Sequence, residues 1–457
     1  MQLFGKIAIG LTFCCCGVAQ AQISLSSAVD LALRNSPKVK LAQADLAKAQ
    51  AVLSESKDVY IPAVSTSGGD GKSTGVPLGL PVVFSVSAQS LAFNFSQRDF
   101  IRSASAGVDA AKFSVAQAQN DVAEDAAYTY VALDNASQRK QVMSDALAAA
   151  NKLVTIVQAR YDAGAEAHIE VSKSKQSLAQ LKLQMLVVED EIKVLSDHLG
   201  RLTGLTRDTI DTVHSSIPEI PIPSMADFSL SNNPGIEAAE ATANARRLSA
   251  HGDSRYKLRP QVAFEAEYSR ITTVGNNYDL YYPGFGPDKD RSLNALGIGI
   301  QVTFPLLDYL HAAKARESLA EARRAEWQTE TQKMEFMEGH LKLQNSVAEL
   351  AAQVEVAKYT RDIAQDQLDT VRIQLQPAAG ASGATQLSPK DEQNAVLQER
   401  QKNIDLLSEE LHLSQSELSL MEQNGTLSDW LHMTVTPPVS SARHYLPPSP
   451  VPQVSQH

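Results

Sequence analysis

Cysteine is almost absent from this chain of 457 residues, and the three that occur, Cys14, Cys15 and Cys16, stand side by side near the amino terminus. Beyond residue 16 the chain can therefore form no disulfide and no thiolate metal site. Clusters of lysine and arginine are also missing, and the formal net charge of −11 argues against a nucleic-acid partner. No run of about 18 consecutive apolar residues occurs, so the sequence predicts no transmembrane helix.

Catalytic motifs are missing as well. The sequence has no nucleophile elbow, no phosphate-binding glycine loop and no metal-spaced cluster among its ten scattered histidines. Glu265 and Glu267 lie two residues apart and come nearest to an acid/base pair. Two carboxylates that share the water-facing side of one strand explain them better. We therefore expect a protein that is not an enzyme and that needs no cofactor and no metal.

The amino terminus has the layout of a secretory signal peptide. Lys6 precedes an apolar run from Ile7 to Val18, and Ala19-Gln20-Ala21 supplies a small-x-small cleavage site. We expect residues 1–21 to be removed on export. A lipoprotein signal acylated on one of the three cysteines is the alternative, although the bulky Phe13 before them fits it poorly.

The rest of the chain repeats itself. Pro37 and Pro234, near the starts of two Ala-rich helical segments, are 197 residues apart, and Pro62 and Pro260, near their ends, are 198 apart. Each segment is followed by two β-patterned stretches, a long helix, a glycine-containing break and a second long helix. The predicted organisation is a first repeat at 22–216, a Pro-rich linker at 217–225, a second repeat at 226–425 and a disordered Pro/Ser-rich tail at 426–457.

Four segments alternate between apolar and polar residues with a period of two, which is typical of β-strands with one apolar face. In the clearest of them Phe264 lies on the apolar face, whereas Glu265 and Glu267 lie on the polar face. A phase slip near Ser90 predicts a β-bulge. The predicted strands are residues 62–67, 84–95, 262–270 and 296–304.

A soluble sheet with one wet face is one interpretation of these strands, and the strands alone favour it. Four strands bury little apolar surface by themselves, however, and most of the rest of the chain is predicted helix. In an exported protein the apolar face can instead contact lipid, provided that several chains close a barrel without open edges. Residues 68–81 and 273–293, rich in Gly, Pro, Asp and Tyr, suit the extracellular loops of such a barrel.

The helical segments are unusually long. Residues 104–161 contain no proline and a single glycine, Gly107, and their apolar seam follows heptad spacing with a stutter near Val122. Residues 171–202 continue the pattern, and the second repeat shows it again. Each repeat therefore predicts a long antiparallel coiled-coil hairpin, which suits the wall of a water-filled tube as well as an isolated rod.

Three motifs resemble those of the TolC-like outer-membrane efflux family. The first resembles the family's hairpin tip, the second its strand-to-helix junction and the third the end of its first hairpin. In the same order, these motifs are Arg160-Tyr161-Asp162-Ala163-Gly164 with Glu170-Val171, Gly297-Ile298-Gly299 through Phe304-Pro305-Leu306-Leu307-Asp308, and Leu199-Gly200-Arg201-Leu202-Thr203-Gly204.

The resemblance implies a mainly α fold with some β-structure and a homotrimer. Each chain would give four strands to a 12-stranded transmembrane β-barrel and two coiled-coil hairpins to a periplasmic α-barrel. The implied function is a passive outer-membrane channel of a tripartite efflux or type I secretion system, working with a periplasmic adaptor and an inner-membrane pump. The implied adaptor contacts at the hairpin tip are Arg160, Tyr161, Gly164, Glu170 and Val171.

The second hairpin tip departs from the family pattern. Gln374-Leu375 replace the Arg-Tyr pair, and a Pro/Ala/Gly-rich insertion follows at 376–386. Just after it, Asp391 matches the place where family members close the periplasmic end with acidic side chains, so it is the candidate gate. It also fits an ordinary carboxylate at a helix start. Pro305 and Asp308 mark the strand-to-helix junction.

A periplasmic adaptor, or another coiled-coil interaction protein without a pore, is the main alternative function. An adaptor inserts one helical hairpin into a β-rich fold, whereas this chain predicts two hairpins and few strands. The two-hairpin pattern therefore favours the channel, located in the bacterial outer membrane with a large periplasmic portion and surrounded by lipid at its strands.

Overall fold

The computed structural model describes residues 21–69, 82–206, 210–221, 233–256, 259–271, 294–375 and 388–431. Within these ranges the helices are α1 Leu25–Asn35, α2 Pro37–Asp58, α3 Gln97–Asp162, α4 His168–Thr203, α5 Pro234–Tyr256, α6 Tyr309–Leu375, α7 Pro389–Asn424 and α8 Leu427–Trp430. The strands are β1 Ala21–Ile23, β2 Ala63–Gly68, β3 Val82–Asn94, β4 Ile210–Thr212, β5 Gln261–Ile271 and β6 Asn294–Thr303. The predicted signal peptide up to residue 20, both strand-connecting loops, the second tip's insertion and residues 432–457 lie outside the described residues.

Both halves of the described chain follow one order of helix, strand, strand, long helix and returning helix. The ends of α2 and α5, at Asp58 and Tyr256, are 198 residues apart, and so are the starts of β2 and β5. The long helices α3 and α6 contain 66 and 67 residues, and each is followed by a returning helix of 36. At ~1.5 Å per residue, each long helix extends about 100 Å. The mainly helical fold with a few antiparallel strands is confirmed.

The long helices form one layer in which α3 contacts α7, α4 packs on α3, and α6 packs on α7. The seam predicted for α3 is confirmed over most of its length, since its small apolar residues are buried against α4 and α7. Helices α1, α2 and α5 cover the amino-terminal half of α3. None of the described helices is long and apolar enough to cross a membrane. The buried seam residues include Val108, Ala118, Val122, Ala126, Leu133, Met143, Ala150 and Val157.

Strands from both repeats share one antiparallel sheet in the order β2-β3-β5-β6. The central pair, β3 with β5, joins the two repeats. The predicted bulge is present, but it lies between Leu91 and Phe93, just after the expected position at Ser90. Leu91 still pairs with Ala263, whereas Phe93 pairs with Val262 on the opposite face of the sheet. The apolar side chains of β3 therefore change faces just after Leu91, slightly later than the sequence predicts.

A second, two-stranded parallel sheet of β1 and β4 was missed by the sequence reasoning. Each of these strands has three residues, too few to show a period. The Tyr130 side chain on α3, fully buried, fastens this sheet. Its hydroxyl donates to the Ile23 carbonyl at 2.6 Å and accepts from the Val213 N–H at 2.8 Å. One buried phenol therefore ties β1 to the segment directly after β4.

The predicted disordered tail starts too early. Residues Leu427–Trp430 form α8, and the Leu427 and Leu431 side chains are buried in the same core as Tyr130. The Trp430 Nε1–H donates to the Glu219 carbonyl at 3.2 Å, which fixes the linker between the repeats. The sequence reasoning overlooked these apolar residues because the tail's proline content dominated its composition.

Replacing Tyr130→Phe should lower the free energy of unfolding by about 1–3 kcal/mol, because the buried Val213 N–H and Ile23 carbonyl lose their partner. Denaturant-induced unfolding of the detergent-solubilised protein measures the change. The matched control is Tyr359→Phe, at an exposed tyrosine of α6, which should leave stability within about 0.5 kcal/mol. Equal effects of the two substitutions would contradict the fastening role.

Candidate functional site

The first hairpin turns at Gly164, whose φ of 75° lies in the left-handed region. The Gly164 N–H donates to the Tyr161 carbonyl at 2.9 Å, and the Ala165 N–H donates to the Arg160 carbonyl at 2.8 Å. This pair of bonds is a Schellman motif, which ends a helix and satisfies its last carbonyls. The glycine is thus required by the turn itself, independently of any partner.

Val171, one of the predicted contact residues, is buried at the base of the turn. It packs with Leu153 and Val157 of α3, and Leu397 of α7 covers the cluster. The expectation that its side chain belongs to a docking surface is therefore wrong for the folded chain. Its position follows from the heptad seam, which places an apolar residue against α3 in the first turn of α4.

Tyr161 and Arg160 lie on the outside of the turn. The Tyr161 ring contacts His168 edge to face, with centroids 5.6 Å apart, and remains partly exposed. Arg160 Nε donates to Glu166 Oε1 at 3.2 Å. These contacts brace the start of α4 against the end of α3, so the predicted tip residues other than Val171 form one ordered surface.

A charged cluster joins this tip to the second hairpin. Lys390, at the start of α7, lies 3.2 Å from Glu166 Oε1 and 3.1 Å from Glu170 Oε2. Hydrogen bonds from Lys173 and then from Lys390 hold the pKa of Glu170 below its ordinary value. Burial lowers the pKa of Lys390, but its bonds to Glu170 and Glu166 outweigh burial, and the net shift is upward. Glu170 and Lys390 therefore remain charged at neutral pH.

Asp391, the candidate gate, caps α7. Its carboxylate accepts from the Ser388 N–H and from the Ser388 hydroxyl, both at 2.8 Å, in a capping box. The backbone bond from Ser388 is the main cause of the lowered pKa of Asp391. The capping box gives this residue a structural role in the single chain, while the constriction around a three-fold axis stays a prediction.

Glu265 and Glu267 lie on one face of the sheet, as the alternation predicts. Glu265 is opposite Gln89 on one side and Gly299 on the other, and Glu267 is opposite Ser87 and Gly297. Among the described strand residues, this face carries no lysine or arginine. Its remaining polar members include Ser65, Ser67, Ser85, Ser269 and Gln301.

The opposite face of the sheet is mainly apolar and no described helix covers it; Arg270, opposite Phe84, is its one described cation. Phe264 is opposite Ile300, and Ile298 and Ile300 each keep about 70% of their surface exposed, at 69% and 71%. Val64, Phe84, Leu296 and Val302 extend this face across the strands. A single chain thus exposes a continuous apolar sheet surface, which soluble monomers rarely do.

The strand-to-helix junction is held by Asp308, the residue before α6. Its carboxylate accepts from the His311 N–H at 2.9 Å, which caps the helix, and also contacts the His311 ring. That ring stacks on Tyr256 at the end of α5, with centroids 3.9 Å apart. The backbone bond from His311 is the main cause of the lowered pKa of Asp308. Pro305 lies between β6 and this cap.

Sequence reasoning missed Lys390, Glu166 and Ser388. Ser388 and Asp391 match the serine-x-x-acid signature of a capping box, so that signal was available in the sequence. Lys390 and Glu166 are 224 residues apart, and no local pattern announces their contact. Only the packing of α7 on the first hairpin brings them together.

The two glycines of α3 and its turn should respond to alanine with opposite signs. Gly164→Ala forces an L side chain into the left-handed region and should destabilise the protein by roughly 1–2 kcal/mol. Gly107→Ala lies inside a helix with no atom within 4 Å of the added Cβ, and should stabilise it by about 0.5–1 kcal/mol. Denaturant unfolding measures both variants. A shift of the same sign in both would rule out the turn geometry.

Lys390→Gln should loosen the tip. The loss of both ion pairs should speed amide hydrogen exchange over residues 163–171 on the order of fivefold, equivalent to about 1 kcal/mol of local stability. Lys193→Gln is the matched control, because the Lys193–Asp190 pair lies within one helix turn and joins no elements. Unchanged exchange at the tip in Lys390→Gln would show that the cluster does not couple the hairpins.

The chain is similar to known proteins in part of its sequence and in its fold. Residues 28–205 match the family model described as outer membrane efflux protein. No curated protein matches the sequence. Solved structures similar to the chain include the CmeC outer membrane channel of Campylobacter jejuni, with 15% identity, a TM-score of 0.69, and coverage of 88% of this chain and 86% of that one.

Two further structures agree. The outer membrane protein VceC of Vibrio cholerae has 20% identity and a TM-score of 0.65, over 88% of this chain and 96% of that one. The open state of the MtrE outer membrane channel of Neisseria gonorrhoeae has 14% identity and a TM-score of 0.61, over 88% and 89%. The resemblance read from the motifs is confirmed: residues 28–205 match the outer membrane efflux protein family, and the chain has the fold of TolC-like outer-membrane channels.

Proposed function

We propose that three copies of this chain form a passive outer-membrane channel, which conducts substrates from a periplasmic adaptor and an inner-membrane pump to the exterior. The channel serves a tripartite efflux or type I secretion system and carries out no catalytic step. One observation carries this proposal: the four-stranded sheet has one apolar exposed face, one polar face and two open edges. The helices lie on the periplasmic side.

The sheet supports closure with further copies. A four-stranded sheet cannot close on itself around a lumen, and in a barrel of about eight strands the side chains fill the interior. Three copies give twelve strands, which leave an aqueous lumen lined by the face that carries Glu265 and Glu267. The edge strands β2 and β6 run antiparallel to each other across the sheet, so β6 of one copy pairs with β2 of the next in regular antiparallel fashion.

The layer of long helices supports the same ring of three copies, because α4, α6 and α7 share one level along the axis of α3. Arg139 on α3 binds Glu191 on α4 at 2.6 Å, and Asn135 on α3 donates to the Leu407 carbonyl of α7 at 2.7 Å. Those two contacts place the middle of α4 and of α7 at one level. Residues 352–360 of α6 line a groove against α7 and therefore lie at the same level.

At this level, both flanks of the layer expose apolar side chains. Val187 and Val194 are exposed on α4, and Val356 and Tyr359 are exposed on α6. A contact between the α4 flank of one copy and the α6 flank of the next joins different surfaces, and such head-to-tail contacts generate a ring when the rotation between copies closes. The ring places α3, α4, α6 and α7 of each copy in the wall of a periplasmic α-barrel.

The hairpin tip is the proposed adaptor contact. Arg160, Tyr161, Gly164 and Glu170 lie on its surface, whereas the buried Val171 supports them from below. The alternative, an adaptor or coiled-coil rod without a pore, leaves the apolar sheet face without a function. The channel accounts for that face, for the open edges and for the paired flanks together.

Cysteine labelling tests the two sheet faces. In the assembled protein in outer membranes, Glu265→Cys should react with a membrane-impermeant maleimide and Phe264→Cys should not, because only the first side chain meets water in the lumen. Gln89→Cys and Ile300→Cys are the controls, since each lies directly opposite one of the tested residues on the same face. Equal labelling of both faces would exclude lumen and lipid sides.

Fractionation separates the channel from its alternative. A channel should sediment with the outer membrane, and after extraction in detergent its mass should equal three chains. A periplasmic adaptor or rod should be released without detergent, and recovery of a detergent-free monomer would overturn the proposal.

A further inference from the structure

The turn after β6 presents the most exposed large apolar side chains of the described residues. Leu306, Leu307, Tyr309 and Leu310 keep 75%, 83%, 82% and 77% of their surface exposed. We call these four residues the β6 foot. They directly follow the edge strand β6, which pairs on one side only among the described strands. So much apolar surface at a sheet edge marks an interaction surface.

The β6 foot is held in shape. Asp308 in its middle caps α6 through the His311 N–H, and the His311 ring stacks on Tyr256 of α5. Pro305 at its start restricts the backbone further. Because the foot is ordered before any partner arrives, little conformational entropy is lost when it packs against one.

A second exposed apolar segment lies at the other edge of the sheet. Val59, Tyr60 and Ile61 lead into β2, and all three side chains are exposed. We call these residues the β2 pad. Backbone bonds fix it, since the Ile61 N–H donates to the Asp58 carbonyl and the Leu91 N–H donates to the Val59 carbonyl, each at 2.8 Å. The pad is therefore also preformed.

Strand directions bring the two segments to the same end of the sheet. Neighbouring strands are antiparallel from β2 through β3 and β5 to β6, so β2 starts at the end where β6 finishes. Within one chain three strand spacings separate foot and pad, about 14 Å. They cannot meet there, but they become neighbours when β6 of one copy lies beside β2 of the next.

We propose that the β6 foot of each copy packs on the β2 pad of the next copy and locks the seam between their strands. This inference rests on the proposed ring of three copies and names the surfaces that join it. The partner is a second copy rather than lipid, because both apolar segments flank the outer strands of the described sheet and lie at the same end of it. Burying them together removes apolar surface from water where the backbone edges must pair.

A disulfide between copies tests the seam. The double variant Ile61→Cys/Leu307→Cys should, on mild oxidation in outer membranes, give a covalent product of three times the chain's mass on denaturing gels. A disulfide needs Cα atoms within about 7 Å, so the two positions cannot join within one chain. The rest of the chain beyond residue 16 has no cysteine to interfere.

The matched control is Leu307→Cys/Phe93→Cys, because Phe93 lies at the same end of the sheet on β3, one strand inward from the edge. This pair and each single variant should give no covalent trimer. Every variant is first sized in detergent without oxidation, which reports the ring itself. A folded ring with the expected cross-link supports the seam.

The seam between copies and the trimeric channel can be disproved separately. If the unoxidised protein is a trimer but Ile61→Cys/Leu307→Cys stays monomeric on the gel, the seam is wrong and the channel stands. If Leu307→Cys then reacts with a lipid-soluble maleimide, the foot faces lipid instead. If no variant and no unmodified protein forms a trimer, the proposed channel falls together with its seam.

Discussion

One chain of this protein cannot bury the apolar face of its sheet. Apart from the bulge in β3, the four strands alternate, so one face of the sheet is mainly apolar, and no described helix covers it. Hydrocarbon is a solvent in which such a face is stable, but a sheet in hydrocarbon tolerates no unpaired edge. The need to satisfy both conditions at once explains why the chain also carries matched flanks on α4 and α6 and exposed segments beside both edge strands.

The pairing of β3 with β5 makes the two repeats interdependent. Each repeat supplies only a two-stranded hairpin to the sheet, and isolated hairpins are marginal in water. Polar contacts elsewhere add to this. Lys390 joins the second hairpin to the first tip, and Trp430 binds the linker between the repeats, while Tyr130 ties strand β1 to the segment after β4 within the first repeat. The duplicated chain is therefore one cooperative unit at its sheet, its middle and its tip.

Periodic features of this fold were predictable from the sequence, and contacts between distant segments were not. The helices and four long strands appear where period and breaker residues place them, extended by a few residues at capped ends such as Ser388. The three-residue strands β1 and β4 are too short for any period. Helix α7 packs on both α3 and α6, and it buries Leu406, Leu420 and even Glu399, more than one heptad seam can place on a single face. A single-seam pattern cannot reveal a helix with two buried sides. Within the tip, Gly164 was readable from turn chemistry and the burial of Val171 from the heptad seam, whereas the contribution of Leu397 from the other repeat was not.

The unequal hairpin tips have a consequence for stoichiometry. The first tip closes through a tight glycine turn at Gly164, while Gln374-Leu375 occupy the corresponding place in the second hairpin. A threefold ring built from such a chain has six hairpins of two chemical kinds in alternation. A protein that recognises the glycine turn and its flanking Arg160 would thus find three equivalent docking positions, and would assemble one to one with the chain.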